Sequence, residues 1–506
     1  MSAAAWERMA VPRVLDGHGR YLAARAALVE DSGVTTYAQL DADSRRVAAA
    51  LRALGVAPGE RVGIALGTSS AYVAAVLGSM RAGAIATPLN TRLAAPELAD
   101  YLGRVEPALV LDDGTGPPPP PGVHTVACDP HDPLRSLCAA AGLDREATLQ
   151  GVEPAGGDGA IAFPTGGTTG LPKAAVWSHA GLGNALVSAC MHLGTGRTDV
   201  ELFFSPMYHL TIVTALLAVL YAGGTVRLLP RFDEDSVVRV LRAEPVTRFF
   251  ATPVVIERIL AAGGAQVGAQ TRLRSLVFGA SRSAPDFPAR LAAAFPGVAL
   301  MTGYGATEFG AVTRVWPDEV LDPDCGVGRP VAGVELTVRD PGGNLLDTGA
   351  VGEVAVRSPM AMSGYLGTES PRHVDGDALL SGDLGSLDDR GRLHLAGRLS
   401  ELVKTGGENV FPAEVERVVV QHPGVLDAVV YGVDDATWGE RVECALITAG
   451  DAHLDMEELR GFCSARLSRY KVPKRFRVVT EFPRTSTEKL DRAALRRAAL
   501  REEQPA

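Results

Sequence analysis

The chain has 506 residues, a length that predicts two or more domains. Of its residues 46% are hydrophobic and 21% charged, a composition that excludes extensive disorder. Its net charge is -10 and it has no block rich in lysine or arginine, which argues against a nucleic-acid-binding protein. The six cysteines are scattered without a Cys-x-x-Cys pair, so a zinc or redox motif is not indicated and a reducing compartment is favoured.

Neither the N-terminal segment nor the longest apolar run indicates a signal peptide or a membrane span. The longest apolar run, around 212–222, is far shorter than a bilayer span, and charged residues interrupt the N-terminal segment where a signal peptide would be apolar. We therefore expect a cytoplasmic protein without a membrane span. The sequence does not indicate an oligomeric state.

Residues 61–90 predict a strand, a helix and a second strand. The first strand is the apolar segment RVGIAL, and the helix extends from Ala71 to Arg81. Gly83 ends the helix, and the second strand is AIATPL. Similar short apolar segments follow at 225–229, 247–252, 275–280 and 299–305. Strands that alternate with helices predict an α/β fold of largely parallel sheets covered by helices on both faces.

The pattern changes twice in the last third of the chain. From about Cys325 short strands and turns predict a small β-barrel-like unit. After Gly397 strands and helices alternate to about residue 480, which suffices for a compact α+β domain. The sequence therefore predicts a large N-terminal domain, residues 1–397, and a small C-terminal domain, residues 398–506, with the boundary at 397–400.

The segment 164–173, Pro-Thr-Gly-Gly-Thr-Thr-Gly-Leu-Pro-Lys, follows a short apolar strand and carries the most chemical information. Glycines let backbone amides turn inward and threonine hydroxyls add donors, so the loop suits phosphate oxygens. It is not the Walker pattern, because Leu171 and Pro172 stand between the last glycine and Lys173. Taken alone, the same residues are also compatible with a flexible surface loop.

This segment closely resembles the signature loop of the adenylate-forming superfamily, which includes acyl-CoA synthetases, peptide-synthetase adenylation domains and luciferases. Further segments resemble motifs of that family in the expected order, and the resemblance covers nearly the whole chain. They are Pro206-Met-Tyr-His209, Gly303-Tyr-Gly-Ala-Thr-Glu308, Ser381-Gly-Asp383, Gly397-Arg398, Lys404-Thr-Gly-Gly407, Phe411-Pro-Ala-Glu414, and Pro483-Arg-Thr485 with Lys489. The chain is most similar to AMP-forming acid–CoA ligases.

The resemblance implies that ATP and Mg²⁺ bind to the large domain and that a carboxylic acid is joined to the α-phosphate. Lys489 would bridge the two anions, a task that suits a small mobile ammonium. Thr307 would donate to the α-phosphate and Glu308 would hold Mg²⁺, which prefers hard oxygen ligands. His209 would lie near the acyl pocket and help to gate it, although a lone histidine at a helix start is often structural.

The remaining contacts implied by the resemblance are with the nucleotide and with coenzyme A. Asp383 would accept the ribose hydroxyls, Arg398 would add a donor, and Tyr304 would offer an aromatic face to adenine. Other nucleotide contacts would come from Thr165, Gly166, Gly167, Thr168, Thr169, Gly170, Lys173, Gly279, Ala280, Ser281 and Gly303.

For the second half-reaction the resemblance implies a mobile C-terminal domain that swings about the hinge at 397–400. The swing would withdraw Lys489 and present Lys404, Gly406 and Gly407 to the pantetheine of CoA, since glycines permit close approach of backbone. A plain β-turn is the alternative for this segment.

Three positions depart from the family pattern. Ser400 stands where relatives commonly have Asp or Lys, Glu488 where they mostly have Gly, and Ala174 where the loop usually continues with Gly. None of these changes removes a charged group that adenylation needs. Ser400 bears on which of its two states the hinge prefers at rest. Glu488 bears on how closely the loop that carries Lys489 wraps the nucleotide.

The acid itself is not encoded in a motif. By family analogy the pocket would be lined mainly by apolar side chains, without an obvious arginine for a second carboxylate, so we expect a monocarboxylic aryl or medium aliphatic acid. The pocket candidates are His209, Thr211, Ile212, Phe278, Gly303 and Phe309.

Two other functions share parts of this evidence. The enzyme could adenylate an acid and pass it to a carrier-protein phosphopantetheine in trans, or to another nucleophile, because the motifs of the first half-reaction are shared and no carrier-attachment segment is present. The chain could also be a non-catalytic nucleotide sensor. The retention of Lys489, Glu308, Asp383 and the complete phosphate loop argues against a sensor.

Overall fold

The computed structural model describes residues 10–144, 154–165, 173–263, 267–281, 283–284, 286–367, 371–449, 454–484 and 490–503. Contacts divide the chain into two compact units. The first contains residues 1–335, 356–373 and 377–379, and the second contains residues 336–355, 374–376 and 380–506. The domain boundary and hinge at 397–400 stay predictions.

Helices occur along the whole described chain. They are α1 (Pro12–Tyr21), α2 (Tyr37–Ala53), α3 (Ser70–Arg81), α4 (Ala95–Val105), α5 (Pro133–Ala140), α6 (His179–Leu193), α7 (Leu210–Tyr221), α8 (Glu234–Ala243), α9 (Pro253–Gly263), α10 (Phe287–Ala294), α11 (Pro412–Val419), α12 (Met456–Ser464) and α13 (Arg492–Glu503). Within the described ranges, no helix combines the length and the apolar character that crossing a membrane requires.

The strands of the first half of the chain are β1 (Ala26–Glu30), β2 (Gly33–Thr36), β3 (Arg61–Ala65), β4 (Ile85–Pro88), β5 (Leu109–Asp112), β6 (Thr125–Ala127), β7 (Gly159–Thr165), β8 (Lys173–Ser178), β9 (Val200–Phe203), β10 (Thr225–Leu228) and β11 (Arg248–Ala251). Those that follow are β12 (Ser275–Phe278), β13 (Ala299–Met301), β14 (Gly305–Ala306), β15 (Gly310–Ala311), β16 (Thr313–Arg314), β17 (Arg329–Pro330), β18 (Glu335–Arg339), β19 (Gly352–Arg357), β20 (Gly364–Tyr365), β21 (His373–Val374), β22 (Ala378–Leu387), β23 (Leu393–Arg398), β24 (Val403–Thr405), β25 (Glu408–Val410), β26 (Val425–Asp435), β27 (Gly439–Thr448) and β28 (Arg475–Val478).

One seven-stranded sheet of the first unit has the order β13-β12-β11-β9-β10-β1-β2 and is parallel except at β1–β2. The predicted strands at 225–229, 247–252, 275–280 and 299–305 are its β10, β11, β12 and β13, so these predictions are confirmed. The last strand ends earlier than predicted, at Met301. A Cβ atom at Gly303 would lie 2.3 Å from the Thr313 carbonyl oxygen, so this backbone packs against another segment instead of extending the sheet.

The other seven-stranded sheet has the order β20-β8-β7-β4-β3-β5-β6, with β8 and β20 antiparallel to their neighbours. The predicted strand-helix-strand at 61–90 is β3, α3 and β4. Helix α3 begins after Ser69, whose hydroxyl accepts from the Tyr72 amide, and it is buried from Ala71 to Met80. Helices and mostly parallel sheets therefore form the α/β architecture that the sequence predicts.

Two five-stranded sheets lie wholly or mostly in the second unit. In one, the order is β18-β19-β22-β21 and β23 pairs with β22, as short strands after Cys325 predict. In the other, the order is β25-β24-β27-β26 and β28 is parallel to β27. Buried aliphatic side chains such as Val430, Leu446 and Leu459 form the core of the second sheet and its helices. This part is the α+β arrangement predicted after Gly397.

Candidate active site

The predicted phosphate loop connects the two strands of an antiparallel hairpin. Thr165 is the last residue of β7 and is buried, Lys173 is the first residue of β8, and the two residues are opposite each other in the register. The predicted residues Gly166, Gly167, Thr168, Thr169 and Gly170 lie outside the described residues. The hairpin therefore fixes both ends of the loop, which is the arrangement that a backbone cradle for phosphate needs.

The segment 302–311 contains a tight hairpin turn that depends on glycine. A Cβ atom at Gly305 would lie 2.3 Å from the Gly310 carbonyl oxygen, in the two-stranded pairing of β14 with β15. The amide of Tyr304 donates to Thr313 Oγ1 at 3.0 Å, and the rings of Tyr304 and Phe309 lie 5.8 Å apart. Close backbone packing thus fixes the segment that carries Tyr304, Thr307 and Glu308.

Strands β8 and β20 and the residue Met362, just before β20, hold the Thr307–Glu308 turn at three points. Trp177 Nε1 donates to the Thr307 carbonyl at 2.9 Å, and the Met362 amide donates to the Glu308 carbonyl at 2.8 Å. The hydroxyl of Tyr365 donates to Glu308 Oε1 at 2.9 Å. Lys173 Nζ lies 5.1 Å from the centroid of the Tyr365 ring. The structure therefore brings the end of the phosphate loop and the predicted magnesium ligand to one aromatic side chain.

Glu308 fits a magnesium site by its chemistry. Its carboxylate supplies the hard oxygen ligands that Mg²⁺ prefers, and its partner Tyr365 is a neutral donor, so the hydrogen bond leaves the negative charge in place. Among the described residues no group of three or more His, Cys, Asp or Glu side chains could hold a metal ion by itself. Mg²⁺ that binds together with a nucleotide usually takes further ligands from the substrate phosphates and water.

The segment 279–281 follows β12 at the carboxyl edge of its sheet. Gly279 has φ +156°, and Ala280 has φ +64°, a left-handed conformation that residues with a side chain rarely adopt. A Cβ atom at Gly279 would lie 3.5 Å from Thr302 Oγ1, which places the segment beside the start of the 302–311 turn. The structure thus brings Gly279, Ala280 and Ser281 close to Gly303, at the edge where parallel α/β sheets bind ligands.

His209 lies at the N-terminus of α7, after β9. Its carbonyl accepts from the amides of Ile212 and Val213, and its ring lies 4.4 Å from that of Tyr208. Its side chain does not cap the helix. Of the pocket candidates, Ile212, Phe278 and Phe309 are buried and Thr211 is exposed. These contacts do not assign His209 a catalytic task, so its gating role stays a prediction.

In the second unit, Asp383 and Arg398 are opposite each other on β22 and β23. Arg398 Nε lies 2.9 Å from Asp383 Oδ1, and Asp383 is only 5% exposed. The Ser381 hydroxyl accepts from the Asp383 amide at 3.0 Å, and Glu353 Oε1 accepts from the Gly382 amide at 3.1 Å. The Ser-Gly-Asp turn is therefore held by its own side chains and by a buried carboxylate that the sequence did not indicate.

Lys404, Gly406 and Gly407 lie in the hairpin of β24 and β25. Thr405 and Glu408 are paired, and the two glycines between them have φ +60° and +85°, the left-handed pair of a tight hairpin turn. Lys404 is exposed. The β-turn alternative is thus the observed local structure, and contact with pantetheine stays a prediction. Lys489 lies outside the described residues.

Sequence reasoning missed Tyr365 and Trp177. Both contact the 307–308 turn from positions that are 57 and 130 residues away along the chain. A buried tryptophan in the strand after the phosphate loop, and an aromatic residue after Gly364, were the only local signals. Neither signal identifies its partner without the tertiary structure.

Comparison with known proteins agrees with these motifs. The AMP-binding enzyme family matches residues 18–366, and the AMP-binding enzyme C-terminal domain matches residues 414–489. The long-chain-fatty-acid–CoA ligase FadD13 of Mycobacterium tuberculosis is 29% identical over 484 residues, which cover 91% of this chain and 92% of the relative. The fatty acid–[acyl-carrier-protein] ligase ScoC of Streptomyces coeruleorubidus is 31% identical over 500 residues, or 95% and 94% of the two chains.

The fold has a counterpart that was solved with a reaction intermediate. The o-succinylbenzoate CoA synthetase MenE of Bacillus subtilis, in complex with the acyl-adenylate OSB-AMP, has a TM-score of 0.83 and 26% identity, over 96% of this chain and 98% of that one. The sequence motifs, the two family matches and this structural similarity agree: the chain belongs to the AMP-binding enzyme family of adenylate-forming enzymes.

Proposed function

We propose that this protein is an AMP-forming acid–CoA ligase that activates a monocarboxylic acid. The observation that carries the proposal is the meeting of Lys173, from the end of the phosphate loop, and Glu308 at the Tyr365 side chain. A cation beside the loop and a carboxylate for Mg²⁺ are what a site needs to bind a nucleoside triphosphate for phosphoryl chemistry.

In the first half-reaction a carboxylate oxygen of the acid attacks the α-phosphorus of ATP, and the bond to pyrophosphate breaks. Magnesium bound at Glu308 would neutralise charge on the phosphates. Lys173 and the loop amides would hold the phosphate oxygens, Thr307 would donate to the α-phosphate, and Lys489 would draw the two anions together. Asp383 and Arg398 would bind the ribose hydroxyls, since a carboxylate accepts from both hydroxyls and a guanidinium donates.

In the second half-reaction the thiol of CoA attacks the acyl carbonyl, the thiol proton is lost, and AMP leaves. The hairpin turn at Gly406 and Gly407 would lie against pantetheine, where the absence of side chains permits close approach. A carrier-protein phosphopantetheine is the second candidate acceptor. The similarity to a relative that is named as an acyl-carrier-protein ligase supports this alternative.

For the acid we propose an aryl or medium aliphatic monocarboxylate, because the buried pocket candidates Ile212, Phe278 and Phe309 are apolar. A relative that is named as a long-chain-fatty-acid–CoA ligase supports an aliphatic monocarboxylate, but one of greater chain length. Efficient turnover of a dicarboxylate such as malonate would contradict it.

The test is AMP release from ATP across a panel of carboxylic acids, each with and without CoA, with the acyl product identified by mass. Acid-dependent AMP release that needs CoA and yields a thioester is the expected result. Adenylate formation that is indifferent to CoA would favour a carrier protein or another acceptor. The absence of acid-dependent exchange of pyrophosphate into ATP would contradict an adenylating function altogether.

A further inference from the structure

Tyr365 contacts both charged residues of the candidate site in the first unit. We propose that Tyr365 is a positioning residue for adenylation, whose hydroxyl holds the Glu308 carboxylate in the orientation that binds Mg²⁺ with ATP. The proposal rests on the proposed function, because it concerns how that site is organised.

Backbone pairing fixes the position of Tyr365. Strand β20 pairs with β8 so that Tyr365 is opposite Ala175. The Ser363 amide donates to the Val176 carbonyl at 2.7 Å, and the Leu366 amide donates to the Ala174 carbonyl at 2.9 Å. Hydrogen bonds on both sides of the tyrosine therefore hold its backbone on the strand that begins at Lys173.

Residues in and beside these two strands also hold the backbone of the Thr307–Glu308 turn. Met362, just before β20, donates its amide to the Glu308 carbonyl, and Trp177 of β8 donates to the Thr307 carbonyl. The distance of 2.9 Å between Tyr365 Oη and Glu308 Oε1 thus joins two groups whose backbones are already fixed relative to each other. The hydrogen bond is preorganised by the fold.

The chemistry of a phenol suits this task. It donates a single proton, so it engages one carboxylate oxygen of Glu308 and leaves the other available to a metal ion. A flexible glutamate that is held before Mg²⁺ arrives loses less conformational entropy on binding, and Mg²⁺ demands near-ideal geometry. A lysine or arginine in place of Tyr365 would also orient the carboxylate, but its charge would weaken the attraction for the ion.

Lys173 adds to the same arrangement. Its ammonium lies 5.1 Å from the Tyr365 ring centroid, within the range of a cation–π interaction. A cation at the ring draws electron density from it, which makes the hydroxyl a stronger donor. Tyr365 therefore links the end of the phosphate loop to Glu308.

The variant Tyr365→Phe removes only the hydroxyl and tests the proposal by calorimetric titration of the enzyme with ATP, once with Mg²⁺ and once with EDTA. We expect the gain in ATP affinity due to Mg²⁺ to fall by about 10- to 100-fold, the range for removing a partner of a metal ligand, while binding in EDTA is unchanged. In ATP–pyrophosphate exchange the Mg²⁺ concentration for half-maximal rate should rise. Thioester formation from a supplied acyl-adenylate should be unaffected.

The matched control is Tyr101→Phe, which removes a hydroxyl from a buried tyrosine on α4 of the same unit and should change none of these quantities. In a Glu308→Gln background, Tyr365→Phe should alter the Mg²⁺ gain by less than about twofold, because both variants remove one shared interaction.

A Mg²⁺ gain in Tyr365→Phe equal to that of the wild type would overturn the proposal, and so would an equal loss of ATP binding with and without Mg²⁺. A wild-type enzyme without acid-dependent pyrophosphate exchange would instead refute the proposed function, and this inference with it.

Discussion

Two carboxylates, one in each unit of the molecule, are predicted to bind the same substrate but have opposite kinds of partner. Glu308 accepts a hydrogen bond from the neutral phenol of Tyr365. Asp383 is paired with the guanidinium of Arg398 at 2.9 Å and is nearly buried. The first pairing orients a negative charge without cancelling it, whereas the second largely cancels the charge.

This difference matches the ligands proposed for the two residues. A divalent cation is attracted by an uncompensated carboxylate, so a neutral partner is the appropriate one for Glu308. Ribose hydroxyls are neutral and need only acceptors and donors at fixed positions, which an ion pair supplies. The partner of a carboxylate is thus informative about the charge of its ligand.

The largest expected effect concerns Lys489, the cation that is predicted to bridge the acid and the α-phosphate. Lys489→Ala should reduce adenylation by several orders of magnitude, equivalent to about 3 kcal/mol or more of transition-state stabilisation. Conversion of a supplied acyl-adenylate to thioester should persist, since that step does not join two anions. Single-turnover assays of each half-reaction measure this, and equal loss of both steps would contradict a lysine that acts only in adenylation.

Glu308→Ala removes the carboxylate that accepts from the neutral phenol of Tyr365. We expect adenylation to fall by about 10²- to 10³-fold, comparable to the loss of one electrostatic stabiliser of a transition state, with the defect largest at low Mg²⁺. Pyrophosphate exchange over a range of Mg²⁺ concentrations measures the effect. The control Glu257→Ala removes a surface glutamate that pairs with Arg290, and it should leave the exchange rate unchanged. A defect of equal size at all Mg²⁺ concentrations would contradict the role of Glu308 as a magnesium ligand, and with it the difference from Asp383.

Asp383→Asn retains the shape of the side chain but removes the charge that pairs with Arg398. A hydrogen bond to a charged group contributes about 1.5–3 kcal/mol, so ATP affinity should weaken by about 10- to 100-fold, and here the loss should be the same at all Mg²⁺ concentrations. Titration of the enzyme with ATP, once in EDTA and once in Mg²⁺, compares the loss of affinity under the two conditions. The control Asp434→Asn removes an exposed carboxylate that is paired with Arg496. An effect confined to Mg²⁺ would show that Asp383 serves the metal rather than the ribose.

Arg398→Lys should have the smallest effect. The variant keeps a positive charge near Asp383 but loses the planar fork and the Nε donor, and the arginine side chain is 40% exposed, so solvent screens part of the interaction. We expect ATP affinity to fall by no more than about tenfold. Steady-state KM for ATP measures it. A loss as large as that of Asp383→Asn would contradict the smaller share of the ribose contacts that we assign to Arg398.

Much of the fold followed from local pattern. The apolar segments at 247–252 and 275–280 are bounded by polar or turn residues and became neighbouring parallel strands. The strand predicted at 299–305 was too long, because Gly303 and Gly305 pack against backbone that lies further along the chain. Local apolarity indicates that a segment is buried, but it does not show where another segment interrupts the strand.

The sequence by itself determined the family and the chemical groups: a glycine- and threonine-rich loop, the acidic residues Glu308 and Asp383, and the lysines Lys173 and Lys489. These are local features, since a motif consists of neighbours in the chain. Only the tertiary structure decided that a phenol 57 residues away holds Glu308 whereas a guanidinium holds Asp383. The charge that a carboxylate presents to its ligand depends on contacts across such distances, and sheet pairing, not sequence spacing, sets those contacts.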